Sequence, residues 1–358
     1  MKLIVIGPSL SMGGVERATS NTLNGLVEMF KTDNLIFLSI FKRNFFFKID
    51  DKIKVIEPEN ININKINLLK TIFYIRKNCL IQKRDNEKCK VLVFGKFYGA
   101  IVSLALIFTG IPIFISDRQS PLYKWGLKNK FFNKISYKLN PPQGVIAQTE
   151  IAATYQRKYF KKSKVVVIPN SVREVQLFPE IKREKVILAV GRLNDYLKGF
   201  DLLIESFAKL KNQDWELHIA GGDEEGEALK EQAERLGVIN RIKFLGKVKE
   251  IDKCYAYAGM FVIPSRSEGF PNALAEAMTA GCCCIAFDFV AGPNEMITNG
   301  VDGILVPSGD TQKLAEAIDD LIVKDDFRDV LAQKAIKTSQ HFKKSTIISK
   351  IANVINKK

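Results

Sequence analysis

The chain predicts an α/β protein built from two doubly wound parallel sheets. Short runs of continuous Val, Ile and Leu character alternate with longer amphipathic stretches, the pattern of parallel strands covered on both faces by helices. At 358 residues and 46% hydrophobic, the chain is long enough for two cores of ordinary size. The alternation lapses once, in the polar connection NSVREVQLFPEIKREK from Asn170 to Lys185, which contains Pro179 and marks the seam.

In the first half the predicted strands are Lys2–Ile6, Asn34–Ile40, Val91–Phe94, Ile113–Ser116, Gly144–Ala147 and Val165–Ile168. The stretch Tyr98–Ile115 carries no charge and approaches the length of a membrane span. Gly110 and Pro112 divide it instead into a helix to Phe108, a Gly-Ile-Pro turn and a strand. In the second half the predicted strands are Val186–Val190, Glu216–Ala220, Ile242–Leu245, Met260–Pro264 and Cys283–Phe287. Pro271 suits the first position of a helix that runs through Leu274, Glu276 and Met278 to a stop at Gly281.

Lys and Arg number 54 against 39 Asp and Glu, a net of +15 with a pI near 9.4, which favours an anionic partner. The excess is lopsided: residues 1–178 hold 29 basic and 12 acidic side chains, a net of +17, and the remainder holds 25 and 27, a net of −2. No nucleic-acid-binding motif accompanies that charge. FKRNFFFK (Phe41–Lys48), KNKFFNKISYK (Lys128–Lys138) and YQRKYFKKSK (Tyr155–Lys164) interleave aromatic and basic residues. Surfaces that rest on anionic lipid look like this, and so do solvated helix faces with core aromatics. Six cysteines without a secretory signal argue for a reduced, cytoplasmic chain. Cys282, Cys283 and Cys284 lack metal-ligand spacing, and with only His218 and His341 in the chain they read as a buried strand start.

Ligands of open parallel sheets sit at the carboxyl ends of strands, so the loops that follow strands are the candidate binding segments. GPSLSMGGVER (Gly7–Arg17) is glycine-rich and opens a helix near Val15, but fits neither G-x-G-x-x-G nor a P-loop. GRLNDYLKGFDLLIESF begins at Gly191; Arg192 and Lys198 flank a turn, and Leu202, Leu203, Phe207 and Leu210 form the inner face of the next helix. A planar two-donor fork and a point charge together suit a diphosphate. SRSEGFPNALAEAM (Ser265–Met278) carries Glu268 on a loop and Glu276 more than a turn inside a helix, so the two are not an acid pair on one helical face.

Taken together, MGGVER, IPNSV, AVGRLNDYLKGFDLLIESF, LHIAGG, IKFLGKV, FVIPSRSEGFPNALAEAMTAG and DGILVPSGD resemble the retaining GT-B glycosyltransferases of family 4 over essentially the whole chain. The resemblance implies two Rossmann-like domains facing a central cleft. Residues 1–172 form the acceptor-binding domain, completed by a C-terminal helix over 341–358, and residues 173–340 bind the nucleotide sugar. It further implies that Arg192 and Lys198 hold the donor diphosphate, helped by Gly13, Gly14 and the backbone of Gly269, Phe270, Asn272 and Ala273. Glu276 then meets the ribose, Glu268 the transferred sugar, and Val248 borders the base. A UDP-sugar is the expected donor and a saccharide or lipid-linked saccharide the acceptor, with no cofactor and no metal. A peripheral place on the inner face of the cell membrane fits the basic first half.

Where family members often carry a histidine, or an acidic residue followed by one, the strand Ile113–Ser116 runs into Asp117 and Arg118, which occupy the acceptor side and depart from that pattern. The turn between Arg192 and Lys198 is one residue longer than the common form. A nucleotide-sugar epimerase of the same shape and a non-catalytic membrane or partner adaptor remain open on the sequence alone.

Overall fold

The computed structural model describes residues 1–11, 13–30, 34–42, 44–59, 66–84, 88–222, 226–290 and 292–356; Met12 of MGGVER and Arg43 of FKRNFFFK lie outside them. The chain divides into two compact units, Met1–Ser171 with Lys344–Lys358, and Val172–Lys343.

Unit 1 carries strands β1 (Lys2–Gly7), β2 (Leu35–Ser39), β3 (Lys54–Ile56), β4 (Cys89–Phe94), β5 (Ile113–Ser116), β6 (Gly144–Ala147) and β7 (Lys164–Val167). They pair in parallel in the order β3-β2-β1-β4-β5-β6-β7, so the winding reverses between β1 and β4. Helices α1 (Gly14–Leu26), α2 (Leu68–Arg84), α3 (Lys96–Ala105), α4 (Leu127–Leu139) and α5 (Glu150–Tyr159) cover the sheet.

Unit 2 carries β8 (Glu184–Val190), α6 (Phe200–Ala208), β9 (Glu216–Ala220), α7 (Glu227–Arg235), β10 (Ile242–Gly246), α8 (Ile251–Tyr257), β11 (Ala258–Ile263), α9 (Asn272–Thr279), β12 (Cys283–Asp288), β13 (Ile304–Pro307), α10 (Thr311–Ile322) and α11 (Asp325–Ser339). Its sheet is also parallel, in the order β10-β9-β8-β11-β12-β13, with the reversal between β8 and β11. The chain then returns to unit 1 as α12 (Lys344–Asn356).

The two faces of the first sheet have separate cores. One packs Leu23 and Leu26 of α1 against Ile347, Ile348, Ile351 and Ile355 of α12, and the other packs Ile75, Ile101 and Tyr137 beneath α2, α3 and α4. The second unit has one continuous core, to which Leu203, Phe207 and Leu210 contribute as their spacing predicted, with Leu202 packed at its margin. Cys282, Cys283 and Cys284 are fully buried at the start of β12, and burial raises all three thiols, Cys283 to about 12. Arg183 donates to the carbonyls of Tyr255, Ala258, Ala280 and Gly281, satisfying groups that the ends of α8 and α9 leave over.

Sequence periodicity missed two strands, β3 and β13, which lie at sheet edges and span three and four residues. An edge strand pairs on one side only and needs no continuous apolar run, and Lys54 and Val55 are exposed. The helix expected to reach Phe108 stops at Ala105: Leu106 leaves helical geometry at φ −103°, ψ 14°, and Phe108 is left-handed at φ 60°. No helix among the described residues is long and apolar enough to cross a membrane.

Ile351 is 1% exposed between α12 and α1. Ile351→Ala should therefore cost about 2–5 kcal/mol, read as a lower denaturant midpoint for unit 1. An unchanged midpoint would mean that α12 does not seal this core.

Candidate active site

The loops after β8 and β11 are adjacent because those strands pair at the point where the sheet reverses. After β8 the chain turns through Gly191–Asn194 into a 3-10 turn, Tyr196–Lys198, which Asp195 caps by accepting from the Leu197 amide at 3.1 Å. Gly199 then takes φ 67°, and a Cβ there would lie 2.0 Å from the Pro264 carbonyl oxygen. Only glycine lets the two loops approach so closely. Arg266 fastens the same junction, donating to both carboxylate oxygens of Asp201 at 2.7 and 2.6 Å and stacking on the Tyr196 ring at 3.8 Å. Gly221, at φ 122°, allows a similar approach of the loop after β9 to the Gly191 carbonyl.

This brace brings Lys198 Nζ within 3.0 Å of Glu268 Oε1, with the side chains 22% and 11% exposed. The Ser265 hydroxyl donates to the same oxygen at 2.6 Å. Arg192 extends outward, 76% exposed, with its guanidinium on Asp195 at 2.7 Å. Gly269, Phe270 and Pro271 lead into α9, whose first residues are Asn272 and Ala273; the Phe270 ring is buried against Phe342.

Glu276 faces a separate set of partners. Its Oε2 accepts from Arg173 at 3.1 Å and from the Tyr255 hydroxyl at 3.4 Å, and Arg173 also grips both oxygens of Asp252. Burial alone would lower the Arg173 guanidinium, but Asp252 and Glu276 outweigh it and hold it raised. Val248 follows the carboxyl end of β10 and packs at the margin of the core.

Gly13, with extended backbone, precedes α1, and a Cβ on Gly14 would meet nothing within 4 Å. Asp117 follows β5 and lines a cavity of about 170 Å³ with Lys96, Gln156, Tyr123, Trp125 and Tyr159. Burial raises its carboxyl above the usual range, against the opposing pull of Lys96, the Gln119 amide, Arg118 and the Gln156 amide at 3.2 Å. Burial also lowers the Lys96 ammonium, which sits 3.6 Å over the Tyr159 ring. Arg118 does not line the cavity. Its guanidinium donates to Asn170, which also accepts from Gln148 at 2.8 Å, and burial brings it down to about 10.

The geometry has counterparts in known proteins. Residues 171–338 match the family described as Glycosyl transferases group 1. The chain is 25% identical over 360 residues to an alpha-1,4-N-acetyl-D-galactosaminyltransferase of Campylobacter jejuni named for a diNAcBac-PP-undecaprenol-linked substrate, covering 97% of this chain and 96% of that one. It is 24% identical to the amylovoran biosynthesis glycosyltransferase AmsD of Erwinia amylovora, covering 99% of each. The structure of HepE from Anabaena in complex with UDP matches 99% of both chains with a TM-score of 0.83 at 20% identity. The chain has the GT-B fold, and its residues 171–338 resemble the group 1 glycosyl transferases.

Sequence reading singled out Glu268, Glu276, Arg192 and Lys198 but missed the groups that hold them. Arg173 sits just after IPNSV, Ser265 and Arg266 inside SRSEGF, and Asp201 inside GFDLL, and none of them was given a role from the sequence. Only the fold shows that Arg173 reaches Glu276 and that Arg266 reaches Asp201.

Two consequences are measurable. Gly199→Ala should destabilise unit 2 by at least about 1–2 kcal/mol, the cost of a left-handed alanine before the clash with Pro264 is counted, and chemical denaturation reads it. For Asp117, a folded-state pKa above the unfolded one means stability that is full at low pH and is lost as pH rises through the raised value. Asp117→Asn should thus gain on the wild type in thermal unfolding as pH increases from acid to neutral. A gap that is constant with pH would contradict the raised carboxyl.

Proposed function

We propose that the protein is a retaining glycosyltransferase of family 4 that moves a sugar from a UDP-sugar to a saccharide or lipid-linked saccharide acceptor in surface polysaccharide or glycoconjugate synthesis. The observation that carries this reading is the Lys198–Glu268 pair, 3.0 Å apart at the carboxyl ends of the two strands that flank the sheet reversal. The UDP bound in HepE supports the donor, and the names of the Campylobacter jejuni and Erwinia amylovora relatives support the class of acceptor.

Breaking the bond between the anomeric carbon and the diphosphate builds negative charge on the leaving oxygen, and fixed cations stabilise it as it develops. In this reading Lys198 and Arg192 supply that charge in place of a divalent metal, and the backbone N–H groups of the loop and first turn of α9 add to it. Without donor, Glu268 neutralises Lys198. A diphosphate competes for the ammonium and leaves Glu268 to accept hydroxyl groups of the sugar. Glu276, an acceptor held in place by Arg173 and Tyr255, takes the ribose hydroxyls, and Val248 borders the base. The acceptor oxygen attacks on the face from which UDP departs: the C1–phosphate bond breaks, the C1–acceptor bond forms, and the acceptor proton passes to the leaving phosphate oxygen. In unit 1 the Asp117 cavity is the acceptor side, with Asp117 as a hydroxyl partner and Arg118 positioning the chain through Asn170.

Screening nucleotide sugars for thermal stabilisation identifies the donor, and UDP-sugars should give the shift. With that donor, Lys198→Ala should lower kcat by about 10²–10³ while the far-UV spectrum is unchanged. Wild-type turnover in that variant would remove the proposed donor site.

A further inference from the structure

The helix layer α2–α3–α4 leaves apolar side chains in solvent in an ordered way. On α4, Leu127, Phe131, Ile135 and Leu139 form one i, i+4 row, with Leu127 85% and Phe131 67% exposed. The opposite face of α4 is already in use: Asn133, Ser136 and Tyr137 are buried against the unit. On α2, Leu69, Phe73 and Ile81 repeat the arrangement, with Lys77 completing the row. α3, which packs against both helices, is almost entirely buried and sets them side by side on one face of the sheet. Phe108, just after α3, holds its ring almost wholly in solvent from a left-handed backbone that a bulky residue adopts only under strain.

The charge around these rows has one sign. Lys128, Lys130, Lys134 and Lys138 are exposed along α4, and Lys70, Lys77 and Arg84 along α2. Arg76 and Lys83 are spent internally, donating to carbonyls of residues 105, 107 and 109 at and beyond the end of α3. From Ile66 to Arg84 and from Lys88 to Thr149 the sequence contains one acidic residue, Asp117, and it is buried. Asp85 and Glu87, beyond α2, lie outside the described residues.

We infer that this α2–α4 face docks on an anionic lipid bilayer, with the apolar rows entering the interface and the lysines lying among the head groups. Exposed apolar rows flanked by cations, with no acid between them, match the chemistry of such an interface. A second copy of the chain fits poorly, because a face-to-face pair would set the same lysines against each other without a compensating carboxylate. The inference deepens the reading of a lipid-linked acceptor by naming the surface that brings the enzyme to it, and its test does not use transfer.

Co-sedimentation with vesicles of phosphatidylcholine, alone or mixed with phosphatidylglycerol, reads the docking directly. The wild type should bind the mixed vesicles at low salt, release at high salt and ignore the neutral ones. The exposed-site variant Leu127→Ser/Phe131→Ser should keep the wild-type melting temperature and lose at least about tenfold in partitioning. Replacing Lys128, Lys130, Lys134 and Lys138 by Gln should cost about fivefold per lysine. Equal wild-type binding to both vesicles, no binding at low salt, or unchanged binding of the variants would overturn the inference. So would a wild-type dimer that Leu127→Ser/Phe131→Ser converts to monomer, which assigns the face to a second copy. Lys198→Ala should bind vesicles like the wild type, so that failure of the donor site and failure of docking are told apart.

Discussion

The second unit depends on one topological constraint: its sheet reverses its winding between β8 and β11. Because consecutive connections leave in opposite directions there, the loops after these two strands are neighbours in space with no helix between them. Residues far apart in sequence, Lys198 and Glu268, therefore meet without any long loop having to be ordered. Gly199 sets how close the loops come, and Arg266, shared between Asp201 and Tyr196, keeps them there. Changing Gly199 or Arg266 therefore disturbs both charged groups at once.

Placing Lys198 and Glu268 together in a largely buried position is not an efficient way to gain stability. Two charges taken from water lose hydration that their mutual attraction repays only in part. The arrangement makes sense if the pair is an exchangeable contact, with the carboxylate holding the ammonium until a diphosphate arrives. Glu276 is different. Its partner Arg173 is also bound to Asp252, so the guanidinium is fixed from two sides and fixes the glutamate in turn. One glutamate pairs with a single lysine and the other with a doubly anchored arginine, in keeping with their separate places on a loop and inside a helix.

The strands of both sheet centres were legible because a buried parallel strand must be apolar on both faces; Ile113–Ser116, Gly144–Ala147 and Glu216–Ala220 are where the pattern put them. Edge strands β3 and β13 were not, since pairing on one side relaxes that demand. Arg192, Lys198 and Glu268 were singled out on loops at strand ends and Glu276 inside the helix that follows, and the fold brings Lys198 and Glu268 into contact. Their supports were invisible because an ion pair such as Arg173–Glu276 leaves no spacing signal when its members lie on different elements. Asp117 and Arg118 show the limit most clearly. Adjacent in sequence and read as one feature, they part in the structure, the carboxylate toward an aromatic cavity and the guanidinium toward Asn170.

The central claim is that Glu268 and the donor diphosphate compete for Lys198, and calorimetric titration of UDP into Glu268→Gln tests it most directly. Removing the competing negative charge should tighten UDP binding several-fold relative to wild type while sugar transfer falls, and adding Lys198→Ala should erase the gain. Weaker UDP binding in Glu268→Gln than in the wild type, or a gain that survives Lys198→Ala, would contradict the account.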